Sequence, residues 1–77
     1  MSFDAYSEFL DELKVALENK DTSAIDNILE YANGGNLDED EVDDLQEIIS
    51  EATLYLELQE EEYREMALVL IREREEG

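Results

Sequence analysis

The chain has no cysteine, no histidine, no tryptophan and no proline, only three glycines, and five basic residues against twenty-four acids. Each shortage excludes something. Without cysteine there is no disulfide, and without thiolate or imidazole there is no zinc-type site. The absence of histidine and cysteine also removes every Ser-His and Cys-His nucleophile. Paired carboxylates can do acid–base chemistry. With twenty-four acids on a small surface, however, any two lie close by chance, so no catalytic residue is singled out and the chain is not expected to be an enzyme. The Gly34-Gly35 pair has neither GxGxxG nor GxxxxGK spacing, so no phosphate-cradling loop is present. Setting either glycine sixth in a calcium loop puts Tyr31 or Ala32, and Asn33 or Gly34, where carboxylates are needed. No cofactor and no specific metal site are therefore expected. No apolar run approaches the roughly 18 residues of a membrane span, and the start, MSFDAYSEFL, is acidic and unlike a signal peptide. A soluble, cytoplasmic protein without membrane contact is expected.

What is abundant is negative charge. The net charge is −19, yet 43% of the residues are hydrophobic and fall at periodic positions, which argues for a fold over disorder. A chain of 77 residues makes one domain, 1–77. The charge is unevenly placed: residues 36–62 hold twelve acids and no base. Such a chain repels nucleic acid and anionic lipid and complements a basic protein surface. Its own repulsion should weaken it at low ionic strength, where charges are least screened.

The periodicity reads as all-α. Ser2 is placed to cap a first helix with Asp4 in its first turn, followed by Phe3, Tyr6, Phe9, Leu10, Leu13, Ala16 and Leu17 at three- and four-residue steps. Asn19-Lys20-Asp21 breaks it. Asp21, Thr22 or Ser23 caps a shorter helix with the stripe Ile25, Ile28, Leu29, Ala32, which Asn33-Gly34-Gly35 ends. Asp38 and Glu41 then have capping-box spacing, with Leu37 and Val42 placed as a hydrophobic staple. From there the stripe Val42, Leu45, Ile49, Ala52, Leu56, Gln59, Tyr63, Met66, Leu70 repeats every seven residues with no Gly or Pro.

The expected fold is thus two short helices and one long C-terminal helix over about 39–75, roughly 55 Å at 1.5 Å per residue. A compact domain of this size has a radius of gyration of only about 11 to 12 Å. So the long helix either bends near Gln59–Glu62 or pairs with a second copy. A homodimer through Tyr63, Met66, Leu70 and Ile71 is the preferred expectation, because residues 66–71 are apolar on several sides. A rival hairpin of Leu54–Leu58 with Ala67–Ile71 lacks a turn residue between its arms.

The acids lie off the stripe: Glu39, Asp40, Asp43, Asp44, Glu47 and Glu51, then Glu57, Glu60 and Glu61. Like charges four apart destabilise a helix by a few tenths of a kcal/mol per pair. A face shaped for solubility alone would mix signs. Along the expected helix the acids come about once per 3 Å, against 3.4 Å per phosphate of one DNA strand. These are the residues expected to bind a partner, and a basic DNA-binding protein is the partner they fit. Arg64, Arg72 and Arg74 are expected to pair with neighbouring acids or across a dimer. With its Asp38-Glu39-Asp40-Glu41 and Asp43-Asp44 clusters, the chain resembles the small acidic DNA-mimic proteins of bacteriophages, among them anti-restriction proteins, anti-CRISPR proteins and inhibitors of the nucleoid protein HU. That resemblance implies an inhibitor that occupies a DNA-binding surface and excludes DNA, with HU-like targets first. The alternative is a regulatory or structural helical module that binds a partner helix through its apolar stripe.

Overall fold

The computed structural model describes residues 5–76, and the cap at Ser2 with Phe3 and Asp4 lies outside them. Four α-helices follow one another: α1 (Ala5–Glu18), α2 (Thr22–Tyr31), α3 (Glu39–Leu58) and α4 (Glu61–Glu76). No strand occurs among the described residues, so Leu54–Leu58 and Ala67–Ile71 are helical.

Helix α1 buries the expected stripe of Phe9, Leu10, Leu13, Ala16 and Leu17. It ends in a Schellman arrangement: Asp21 N–H donates to the Ala16 carbonyl at 2.9 Å and Lys20 N–H to that of Leu17 at 3.2 Å. Lys20 itself sits in the left-handed region at φ 57°, a place glycine usually takes. Asp21 then caps α2 by accepting from Ala24 N–H at 3.2 Å. Helix α2 buries Ile25 and Leu29. It leads into a wide π-type turn, Ala32–Asn36, in which Gly35 takes φ 84°. A Cβ at Gly35 would meet nothing within 4 Å, so the backbone rotation is what calls for glycine there.

The capping box at the head of α3 is formed, with Glu41 accepting from Asp38 N–H at 3.2 Å. Leu37 is buried and Val42 packs on the core, so both staple positions face inward. Leu45, Ile49 and Ala52 are buried as expected, and Ile48 and Tyr55 join them. The buried face is wider than a heptad seam because both α2 and α4 pack on α3.

The long helix is not continuous: it breaks at Gln59, inside the Gln59–Glu62 stretch where a bend is one of the two expectations. Gln59 adopts φ 55°, ψ 37°, its N–H donates to the Tyr55 carbonyl, and α4 runs back along α3. A left-handed non-glycine residue costs about 1–2 kcal/mol. Burying Leu68 and Ile71 stabilises by roughly 1.5–3 kcal/mol each. Packing therefore outweighs the strain. The molecule measures 36 × 26 × 21 Å with a radius of gyration of 11.6 Å, shorter than a continuous helix over 39–75 would be.

This reversal removes the reason given for a dimer. What α4 buries most deeply is Ala67, Leu68 and Ile71, one or two positions off the second half of the stripe, and the chain's own α1 and α3 pack against α4. Ile71 has no exposed surface, and Tyr63 and Leu70 pack against the core. Of the four expected dimer residues only Met66 stays largely open, at 48%. No helix among the described residues is long and apolar enough to cross a membrane.

Candidate functional site

The site grows from the way α3 is held. One side is committed to the core through Leu45, Ile48, Ile49, Ala52 and Tyr55. The opposite side is thereby fixed outward. Glu39, Asp40, Asp43 and Glu47 are exposed on it and Glu51 is half-buried at its edge. The steps from either Glu39 or Asp40 to Asp43, and on to Glu47 and Glu51, are three or four residues, which keeps them on one face. From Glu39 to Glu51 is roughly 18 Å at 1.5 Å per residue, so the five carboxylates are about 4.5 Å apart on average along the axis. Beyond Glu51 this face carries Leu54 and Leu58, the latter 52% exposed, and the acid row stops.

The cations explain why the row is uncompensated. Lys14 pairs with Glu75 at 3.1 Å, Lys20 with Glu61 at 3.4 Å, Arg64 with Glu61 at 2.8 Å and Arg74 with Asp44 at 3.4 Å. All four ties join α4 or its first turn to another element or to itself. Arg64 also donates to the Leu17 carbonyl at 3.1 Å, a second bond to the acceptor that Lys20 N–H already reaches at the end of α1. Arg74 likewise donates to the Asp44 carbonyl at 2.6 Å. The expectation that the arginines pair with acids holds for Arg64 and Arg74. Among the described residues no ion pair reaches Glu39, Asp40, Asp43, Glu47, Glu51 or Glu57.

Two of the nine candidate acids serve the fold. Asp44 accepts from the Tyr6 hydroxyl at 2.5 Å and faces Arg74. The Tyr6 hydrogen bond, more than the nearby guanidinium, holds its carboxyl below the usual range, against some desolvation. Burial foremost, then the same bond, pushes the Tyr6 phenol up. Glu61 is held low mainly by its bonds from Arg64, with Lys20 adding to it. Glu57 and Glu60 are exposed near the α3–α4 turn, past the end of the acid row. The nine candidates therefore divide into a row of five, two structural acids and two at the far end.

Tyr6 is a site residue that sequence reasoning placed in the core. Its ring, half-buried, lines a hollow of about 340 Å³ together with Asp40, Glu41 and Asp44 at the head of the row. No group of three or more acids among the described residues is arranged to hold a metal ion. No protein-family model, no curated protein and no solved structure matches the chain.

Proposed function

We propose that the protein is a decoy for a nucleic-acid backbone. It presents the carboxylates of Glu39, Asp40, Asp43, Glu47 and Glu51 to the cationic groove of a DNA-binding protein and keeps DNA out. The observation that carries this reading is the division of labour among charges. The chain spends four of its cations on seams around α4 and none on this row. Carboxylates pair with arginine and lysine as phosphate oxygens do. An average spacing of about 4.5 Å is of the same order as the 3.4 Å of one DNA strand, if somewhat sparser. A rigid helix holds that spacing before the partner arrives, so little ordering cost is left for binding. The hollow at the head of the row suits a guanidinium, which meets carboxylates at its edge and the Tyr6 ring at its face.

The reading of a module that binds through its apolar stripe finds less support, since Leu45, Ile49 and Ala52 are buried within the chain itself. A small basic nucleoid protein of the HU kind is the first target to test, followed by restriction and CRISPR effectors. The test is competition. Labelled duplex DNA bound to the target is titrated with this protein, and the titration is repeated with Asp40→Lys/Asp43→Lys. Release by the wild-type chain, loss of release by the variant, and steep weakening between about 50 and 300 mM salt support the proposal. A target that holds its DNA when saturated with the protein overturns it.

A further inference from the structure

We infer that the groove between α1 and α2 is a second binding surface, separate from the acid row, and that its occupant is a cationic amphipathic helix of another protein. The groove measures about 540 Å³. Val15, Ala24 and Ile28 form its apolar floor, and Asp11, Glu12 and Asp21 stand at its rim. Val15 is 53% exposed on a helix whose Phe9, Leu10, Leu13 and Leu17 are all buried. Ile28 is only partly covered, although it belongs to the stripe that α2 turns inward. Two neighbouring helices with the small Ala16 and Ala24 along the groove leave the kind of trough into which a third helix lays its i, i+3 and i+4 anchors.

Charge decides which helix. The cations nearest in sequence to the rim, Lys14 and Lys20, are committed to Glu75 and Glu61. None of Asp11, Glu12 and Asp21 joins an ion pair among the described residues. A helix with lysine or arginine flanking its apolar stripe pairs with this rim, and an acidic one is repelled. A second copy of this chain does not fit. It brings a net charge of −19, and two of the three arginines of its most basic stretch, residues 64–74, are held in its own seams. The occupant is therefore a different protein, and the surface is the apolar counterpart of the salt-sensitive row on α3.

The test uses the full chain, labelled for amide NMR, and a designed peptide of about 14 residues with leucine at helical spacing and lysine elsewhere, long enough to form a helix on binding. A scrambled peptide of equal composition and charge is the control. At about 300 mM salt, where surface attraction is largely screened, the amphipathic peptide should still bind. It should shift amides at Val15, Asn19, Ala24 and Ile28, and bind at least about tenfold tighter than the scrambled one, a difference of 1.4 kcal/mol. Val15→Lys, at an exposed site that leaves the core intact, should weaken it by about as much. Asp40→Lys/Asp43→Lys should leave it nearly unchanged, which separates this surface from the decoy row. Equal binding of both peptides, shifts confined to residues 39–51, or indifference to Val15→Lys each overturn the inference. So do concentration-dependent shifts at Val15 and Ile28 without peptide, because they would put a second copy in the groove.

Discussion

Replacing Ile71 with alanine separates a chain that covers its own C-terminal stripe from one that needs a partner to cover it. Ile71, on α4, is fully buried within one chain, and α4 packs on α3 and α1. Removing its three carbons loses transfer free energy and leaves a cavity, about 3 kcal/mol within the usual 2–5 for such a change. A domain of this length has roughly 4–12 kcal/mol of stability in total. The variant should therefore lose between a quarter and most of it, and its thermal midpoint should fall by roughly 12–24 °C at 4–8 °C per kcal/mol. Met66→Ala, at a position 48% exposed one turn earlier, should cost less than about 1 kcal/mol. Urea unfolding followed by circular dichroism at two protein concentrations tenfold apart measures both variants. The expected result is a large loss for Ile71→Ala, a small one for Met66→Ala, and midpoints that do not depend on concentration. Comparable losses for the two, or a wild-type midpoint that rises with concentration, would show that the stripe is covered by another chain and would refute the folded-back α4.

Three further outcomes follow from the same structure. Gln59→Gly relieves the left-handed strain at φ 55° and should stabilise the chain by about 0.5–1 kcal/mol, whereas a β-branched residue there should destabilise it; denaturant midpoints distinguish them. The carboxyl of Asp44 binds its proton less readily in the folded chain, so its contribution is complete above the ordinary carboxylate range near pH 4 and is lost as pH falls through and below it. The stability gap between wild type and Asp44→Asn should accordingly be open at about pH 6 and close by about pH 2.5; a gap that is constant across this range contradicts the assignment. Raising salt from about 10 to 150 mM should raise the melting temperature, because relief of repulsion among the acids outweighs screening of four seams; a fall would mean the seams dominate.

Much of this was readable from local chemistry. The stripes of α1 and α2, the Asp21 cap, the Asp38–Glu41 box and the inward Leu37 and Val42 depend on residues at most five apart, and each appears as expected. The break near Gln59–Glu62 was readable as one of two alternatives, from helix length against domain size; the full reversal was not, since neither glycine nor proline marks it and the driving force is burial of Leu68 and Ile71 against residues far away in the chain. The same holds for Lys20, which takes a left-handed position that its side chain does not announce. Ile48 and Tyr55 escaped the heptad reading because a second neighbour widens the covered face of α3. At the site, the outward acids followed from the stripe they oppose. The engagement of Asp44 by Tyr6 and Arg74 did not, because those partners are 38 and 30 residues away. The engagement of Glu61 is local through Arg64, three residues on, and non-local through Lys20, which reaches it only once α4 has folded back.

The two-residue joint at Gln59 and Glu60 has one more consequence. If its backbone relaxes into the right-handed region, α3 and α4 fuse into one rod, and α4 of each molecule can lie in the place vacated by that of another. Such an interleaved pair exchanges identical contacts, so its enthalpy is nearly that of two separate chains and the joint alone sets the balance. Alanine at both joint positions should populate this species, visible as a second peak of doubled mass in size-exclusion chromatography with light scattering. The folded-back chain therefore carries a single unfavourable torsion at its joint, and changing that torsion shifts the balance with the interleaved pair without touching the core or the acids.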